Sequence, residues 1–357
     1  TVCTHQNDEN NLAICQRLIN LRREIAQLLG YDTYADYVLK HRMASKVENV
    51  YQLLNDLIAA YKPTALEEKE ALSEIAKRQE GADFVMEPWD TAYYSHQLQM
   101  EKYNLDAEML RPYFKLESVI KGVFGLATRL YGITFKENKD IPVYHPDVKA
   151  YEVSDRDGSY LAVLYADFFP RKGKQGGAWM TEFQGQWIDR KGNNVRPHAS
   201  LVMNFTKPTD DKPALLTLGE VETFLREFGH SLHGMFANTR FESLSGTNVW
   251  WDFVELPSQF MENFAVEREF LQTFAFHYKT GEVIPDELID RIVRSRNFMA
   301  GMACLRQVSF GLLDMAYYTQ RDAFDEDIIP FEKKAWEKAI LGKQLPETCM
   351  TVQFSHI

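Results

Sequence analysis

No apolar run in this sequence reaches the roughly 18 residues from which a membrane-crossing helix is read. Nothing in it therefore asks for a membrane. Basic charge is short too: 40 Lys and Arg stand against 51 Asp and Glu, a formal net charge of −11. A nucleic-acid surface needs a clustered basic face, and this balance argues against one. Cysteine is sparse, and its four copies (Cys3, Cys15, Cys304, Cys349) are dispersed with no C-x-x-C pair. They read as reduced thiols rather than a disulfide frame, which points to the cytoplasm. Internal repeats and low-complexity segments are absent as well. No signal peptide precedes Thr1, and both ends read as cuts through a longer protein.

What is present is ordinary globular material. Hydrophobic residues make up 45% and charged residues 25% of 357 positions, enough for a sizeable core in one large or two ordinary domains. The first third has helical periodicity. Helices are expected from Leu12 to Leu29 with Gly30 as the stop, from Tyr34 to Arg42, and from near Lys46 to Gln79 with a kink at Pro63. Two more fit Trp89 to Tyr103 and Ala107 to Leu130. Between 133 and 206 the period changes to two: "ITFKEN", "KAYEVSD", "SYLAVLYAD" and "ASLVMNFTK" read as strands, with Asp157-Gly158 as a hairpin turn. "RKGKQGGAWM" and "DRKGNNVRP" read as Gly-bearing loops. Helices return from 217 and are expected over 253–274, 286–307, 310–320 and 331–341. The fold class is mainly α with a small β-sheet insert. Its regions run 1–132 (helical), 133–206 (sheet) and 207–357 (helical), as one continuous architecture.

The chemistry gathers in "TFLREFGHSLHGMF", Thr223 to Phe236, on a helix opened by a Thr217/Glu220 capping box. It resembles H-E-x-x-H, in which two imidazoles at i and i+4 share a helix face and grip one zinc ion. The glutamate of that motif takes a proton from the metal-bound water. Here Glu227 and His230 hold the places of base and second ligand, and Arg226 holds the place of the first. A guanidinium keeps its charge and offers no lone pair to a metal. Two unit charges about 4 Å apart interact at about 4 kcal/mol for an effective dielectric of about 20, so Arg226 opposes a cation there. Glu255, 25 residues after His230, is the candidate third ligand. Asp252 is expected one turn earlier as a partner behind it. Arg226 is expected to pair with Glu255, bidentately. His233 is a weaker substitute ligand, and is expected instead to be a helix-face residue.

The neighbourhood of this helix resembles the thimet oligopeptidase and peptidyl-dipeptidase family of zinc metallopeptidases. "EFGHSLHGMFA" and "SLSGTNVWWDFVELPSQFMENFA" carry the likeness, and "LLGYDTYADYVL", "PWDTAYYSHQL", "LRPYFKLESVI", "IPVYHPDVKAYEV", "ADFFPR" and "GGAWM" extend it along the chain. The bacterial peptidyl-dipeptidase branch looks most similar. The resemblance implies an almost wholly helical, two-lobed peptidase whose deep channel admits short peptides. It implies one zinc ion, Glu227 as general base and acid, His230 and Glu255 as ligands, and His356 at the start of a substrate-binding segment. It also implies that the chain corresponds to the middle half of such a protein, with Arg226 as a departure that impairs it. The readings kept beside this one are a pseudo-peptidase that holds peptides uncut, and an inactive fragment.

Other residues have plainer readings. "GKQGGAWM", with Gly177, is either a set of turns or an edge strand for substrate backbone. His145 is expected in a turn, and His96, His198 and His277 as ordinary surface or core residues. Tyr93-Tyr94 and Trp250-Trp251 read either as the lining of a groove or, more readily, as core packing.

Overall fold

The computed structural model describes residues 5–6, 9–346, 348–354 and 356. Cys3 lies outside the described residues. The protein is mainly helical with one five-stranded sheet, as its residue pattern implies. In chain order the helices are α1 (Asn11–Leu28), α2 (Tyr34–Leu39), α3 (Val47–Glu80), α4 (Thr91–Tyr103), α5 (Ala107–Leu110), α6 (Leu116–Tyr131), α7 (Leu218–Met235), α8 (Glu255–Glu262), α9 (Arg268–Phe274), α10 (Asp286–Ser295), α11 (Ala300–Tyr318) and α12 (Ile328–Ala335). The chain divides into two compact units, one from residues 1–102 and 297–357, the other from 103–296.

In the first unit α11 packs along α3. Gly301 is the close point, because a Cβ there would stand 2.7 Å from the Ala65 nitrogen. Tyr317, Leu313 and Ile19 are buried in the core of this unit. Pro63 sits inside α3, which continues as helix on both sides of it. Cys15 and Cys304 are half-buried and Cys349 is buried, all as free thiols.

The second unit holds the sheet. Its strands are β1 (Thr134–Glu137), β2 (Lys149–Ser154), β3 (Tyr160–Asp167), β4 (Trp179–Gln184) and β5 (His198–Val202). They lie in the order β1-β2-β3-β5-β4, with only β3 and β5 parallel. Asp157-Gly158 makes the β2–β3 turn, with Gly158 at φ 83°, where a side chain is costly. Side chains alternate between faces. Leu164 and Leu201 point into a core shared with Phe224 and Phe228 of α7, all of them fully buried.

Several element boundaries differ from the periodicity. The segment 107–130 is not one helix. Pro112 lacks an N–H, and the backbone at 114–116 pairs with 214–216 instead: Leu116 N–H donates to Ala214 (2.9 Å) and Leu216 N–H to Phe114 (2.8 Å). The expected helix 253–274 starts at Glu255 and is divided by a 3-10 turn at Asn263–Val266 and extended Glu267. Met299, at φ 57°, separates α10 from α11, so 286–307 is two helices, while 310–320 belongs to the second of them. The last expected helix, 331–341, is α12 followed by a 3-10 turn at Glu337–Ala339. Part of "GKQGGAWM" joins β4, and "DRKGNNVRP" bends between two short strands, Trp187–Ile188 and Asn194–Val195.

Candidate active site

Helix α7 starts where the capping box predicts. The Thr217 hydroxyl accepts the Glu220 N–H (3.1 Å), and the Glu220 carboxylate accepts the Thr217 N–H (2.7 Å). The helix buries Val221, Phe224, Leu225, Phe228 and Leu232, which fixes which way Arg226, Glu227 and His230 turn. Helix α8 begins at Glu255, so Pro257 falls in the first turn, where a missing N–H costs nothing. The two helices approach at Gly229: a Cβ there would meet the Ser258 Cα at 2.7 Å and the Pro257 carbonyl at 2.9 Å. This is why a glycine stands inside a helix.

That approach brings together the residues expected to carry the chemistry. Arg226 Nη2 and Nε donate to the two carboxylate oxygens of Glu255 at 2.8 and 3.2 Å, the bidentate pair expected from the sequence. Its Nη1 donates to Glu227 Oε1 at 2.9 Å. His230 Nε2 stands 3.2 Å from Glu255 Oε2, and the Ser258 hydroxyl donates to that same oxygen at 2.7 Å. A further carboxylate, Glu262, lies 3.7 Å from Arg226 Nε. Glu262 was not expected. Its signal was its place seven residues after Glu255, on the same face of α8.

Burial sets the proton affinities. It raises the Glu227 carboxyl above the ordinary range, against the Arg226 charge and a backbone hydrogen bond from Met180 on β4. It also raises Glu262, again against Arg226. At Glu255 burial pushes upward too, but the Ser258 hydrogen bond and the charge of Arg226 outweigh it, and the carboxyl ends below its ordinary value. Burial pushes His230 down, more than Glu255 lifts it, so the imidazole favours its neutral form. The His230 Nδ1 atom is buried and has no hydrogen-bond partner.

Zinc does not fit the residues present. Both oxygens of Glu255 accept from a guanidinium, and that guanidinium has no lone pair. Among the described residues no group of three His, Cys, Asp or Glu side chains could hold a metal ion.

The other candidates fall elsewhere. His233 lines an apolar cavity of about 450 Å³ with Phe236, Leu256 and Phe260, as a helix-face residue would. Asp252 lies exposed in the turn at 251–254 before α8, not on the helix. Gly177, at φ 89°, precedes edge strand β4, and its carbonyl accepts from Asn204 Nδ2 at 2.7 Å. His356 belongs to the other unit, exposed, with its ring 5.2 Å from that of Phe354. The His145 ring accepts the Asp147 N–H, a turn contact as expected. Trp250 and Trp251 are 51% and 71% exposed, so they do not pack in the core as expected: they sit on the irregular segment before α8. Tyr94 is buried and Tyr93 is exposed, so core packing holds for only one of that pair.

A model of peptidase family M3 matches residues 1–357. The chain belongs to peptidase family M3. Oligopeptidase A of Escherichia coli strain K12 is 40% identical over 312 residues, which cover 87% of this chain and 46% of that protein. Dipeptidyl carboxypeptidase of the same strain is 39% identical over 334 residues, 92% of this chain and 48% of its own length. The organellar oligopeptidase A of Arabidopsis thaliana is 39% identical over 358 residues, 98% and 45% respectively. The chain thus spans about half the length of the M3 relatives it matches. Identities of 40% and 39% do not separate the oligopeptidase from the carboxypeptidase branch. The lineage is that of a metallopeptidase, and among the described residues no helix is long and apolar enough to cross a membrane.

Proposed function

We propose that this chain carries the hydrolytic centre of an M3 zinc oligopeptidase acting on short peptides, held inactive by Arg226. Glu227 stands in the place of the general base, a buried carboxylate whose proton affinity burial raises, as proton transfer requires of such a group. His230 and Glu255 stand in the places of two ligands, with Asp252 as a more distant partner. Strand β4 is a sheet edge, and its Met180 backbone reaches Glu227, which supports substrate pairing along the segment after Gly177. Dispersed free thiols support a cytoplasmic setting.

The observation that carries the proposal is the guanidinium bonded at once to Glu227 and both oxygens of Glu255. The decisive measurement is zinc content of the purified chain beside its Arg226→His variant, with cleavage of short peptides followed in parallel. The chain as it stands should hold no zinc and cut nothing. The variant should gain one zinc per chain, because a histidine restores a donor and frees Glu255. One tightly held zinc in the unsubstituted chain would overturn the proposal. The same bidentate pair favours a second reading, a pseudo-peptidase. Calorimetric binding of short peptides, with none hydrolysed before or after the substitution, would select it.

A further inference from the structure

The sheet face turned away from the α7 core carries a cavity of about 640 Å³. Pairing of β3, β5 and β4 sets Tyr165, Ser200 and Thr181 side by side on that face. The rings of Tyr144, Tyr165 and Phe183 stand 5.5 to 6.5 Å apart, tilted or edge-on, and wall the cavity. Phe183 is 58% and Tyr144 48% exposed, so this wall is open to solvent.

Its floor is charged. Asp167 is 1% exposed, and Arg171 Nη1 and Nη2 donate to its two oxygens at 2.8 Å each. Lys174 Nζ donates to Asp167 Oδ1 at 2.9 Å and reaches the carbonyls of Asp167, Phe169 and Met203. The Tyr144 hydroxyl donates to Asp167 at 3.0 Å. Those bonds use up the three protons of Lys174 but only two of the five N–H groups of Arg171. Among the described residues Arg171 has no carboxylate partner but Asp167, and its side chain keeps 22% of its exposure. The nearby pair Lys207–Asp147, 2.8 Å apart, adds one charge of each sign. His145, 3.9 Å from Asp147, adds no negative charge. Of the charged residues lining the cavity, two are cations (Arg171, Lys174) and one is an anion (Asp167), a net +1 beneath an aromatic wall in a chain whose total is −11, and the nearby Lys207–Asp147 pair leaves that balance unchanged.

We propose that this cavity binds a carboxylate that carries an aromatic ring. The ring enters among Tyr144, Tyr165 and Phe183, and the carboxylate accepts from the free edge of Arg171. A free aromatic acid and the C-terminal residue of a peptide share this chemistry. The cavity opens on the sheet face opposite the α7 core, and its test reads binding alone, not hydrolysis at the Arg226 centre.

The test is calorimetric titration of the chain with N-acetyl-phenylalanine, with N-acetyl-phenylalaninamide and N-acetyl-alanine beside it. The aromatic acid should bind saturably, and both controls at least about tenfold more weakly, since one lacks the charge and the other the ring. Arg171→Lys keeps a cation for Asp167 but loses the second edge, and Phe183→Ala removes an exposed ring and leaves the buried floor intact. Each should weaken the acid about fivefold or more, with the circular dichroism melt of Phe183→Ala unchanged. Equal binding of acid and amide would overturn the proposal. So would parent-like binding by Phe183→Ala, or no saturable heat up to about 10 mM. Ala-Ala-Phe binding more tightly than N-acetyl-phenylalanine assigns the site to peptide ends; the reverse order assigns it to free acids. Either order supports the proposal.

Discussion

At the scale of single residues, Arg226 and Gly229 decide the character of α7. Arg226 puts a permanent cation where a metal-binding helix would put a lone pair, and it organises three carboxylates around itself. Gly229 forfeits about 1 kcal/mol of helix propensity relative to alanine. What it permits is contact with the backbone of α8, which cannot give way as a side chain could. Gly229→Ala should therefore destabilise the chain by about 1–2 kcal/mol, the overpacking cost outweighing the gain in propensity. Urea unfolding measures this, and a rise in stability would mean that the helices are not in close contact there. Arg226, Glu227 and His230 are legible from spacing within one helix, whereas Glu255 comes from the later helix α8 and is marked by the family resemblance. The part played by Glu262 depends on how α8 leans on α7, which periodicity does not give.

Helices in this protein begin and end through devices that differ in range. The α7 start is local: Thr217 and Glu220 satisfy each other's backbone donors within one turn, and the sequence announces it. Thr217→Ala should cost about 1 kcal/mol in urea unfolding, because an N-terminal N–H loses its acceptor. The start of α11 is remote. Met299 takes a left-handed conformation, and the Glu68 carboxylate of α3 accepts the N–H groups of Gly301 (3.1 Å) and Met302 (2.8 Å). Glu68→Ala should cost about 1–2 kcal/mol, and amide exchange should quicken at 301 and 302 first. Unchanged protection there would remove Glu68 from that role. No window of sequence around 300 contains this acceptor, so the periodicity ran 286–307 together as one helix. The same holds at 114–116, where pairing with 214–216 overrides local helical preference.

Across the whole molecule, buried acids give stability a dependence on pH. Burial raises Asp314 of α11 from its ordinary 3.8 to about 6, against the opposing charges of Arg22 and His356. The folded state therefore holds this proton more tightly than the unfolded chain does. Its stabilising effect is full below about pH 4 and lost as pH rises through about 6. Ionised Asp314 then costs up to about 3 kcal/mol, so Asp314→Asn should gain about that much at pH 7.5 and almost nothing at pH 4. Denaturant midpoints of the two chains at both pH values check it. A constant difference would show that Asp314 is not the group that titrates.

By itself the sequence determined the helical class, the strands near 133–206, the cap of α7 and the placing of Arg226, Glu227 and His230 within that helix. These follow from periodicity and from chemistry within a few positions, where sequence neighbours are spatial neighbours. Only the tertiary structure decided that Arg226 also holds Glu227 and draws in Glu262, that α11 starts on a glutamate 233 positions away, and that an aromatic-walled cavity with a charged floor lies behind the sheet. Those features depend on contacts between distant segments, and such contacts form only once buried apolar faces have set each element against the next.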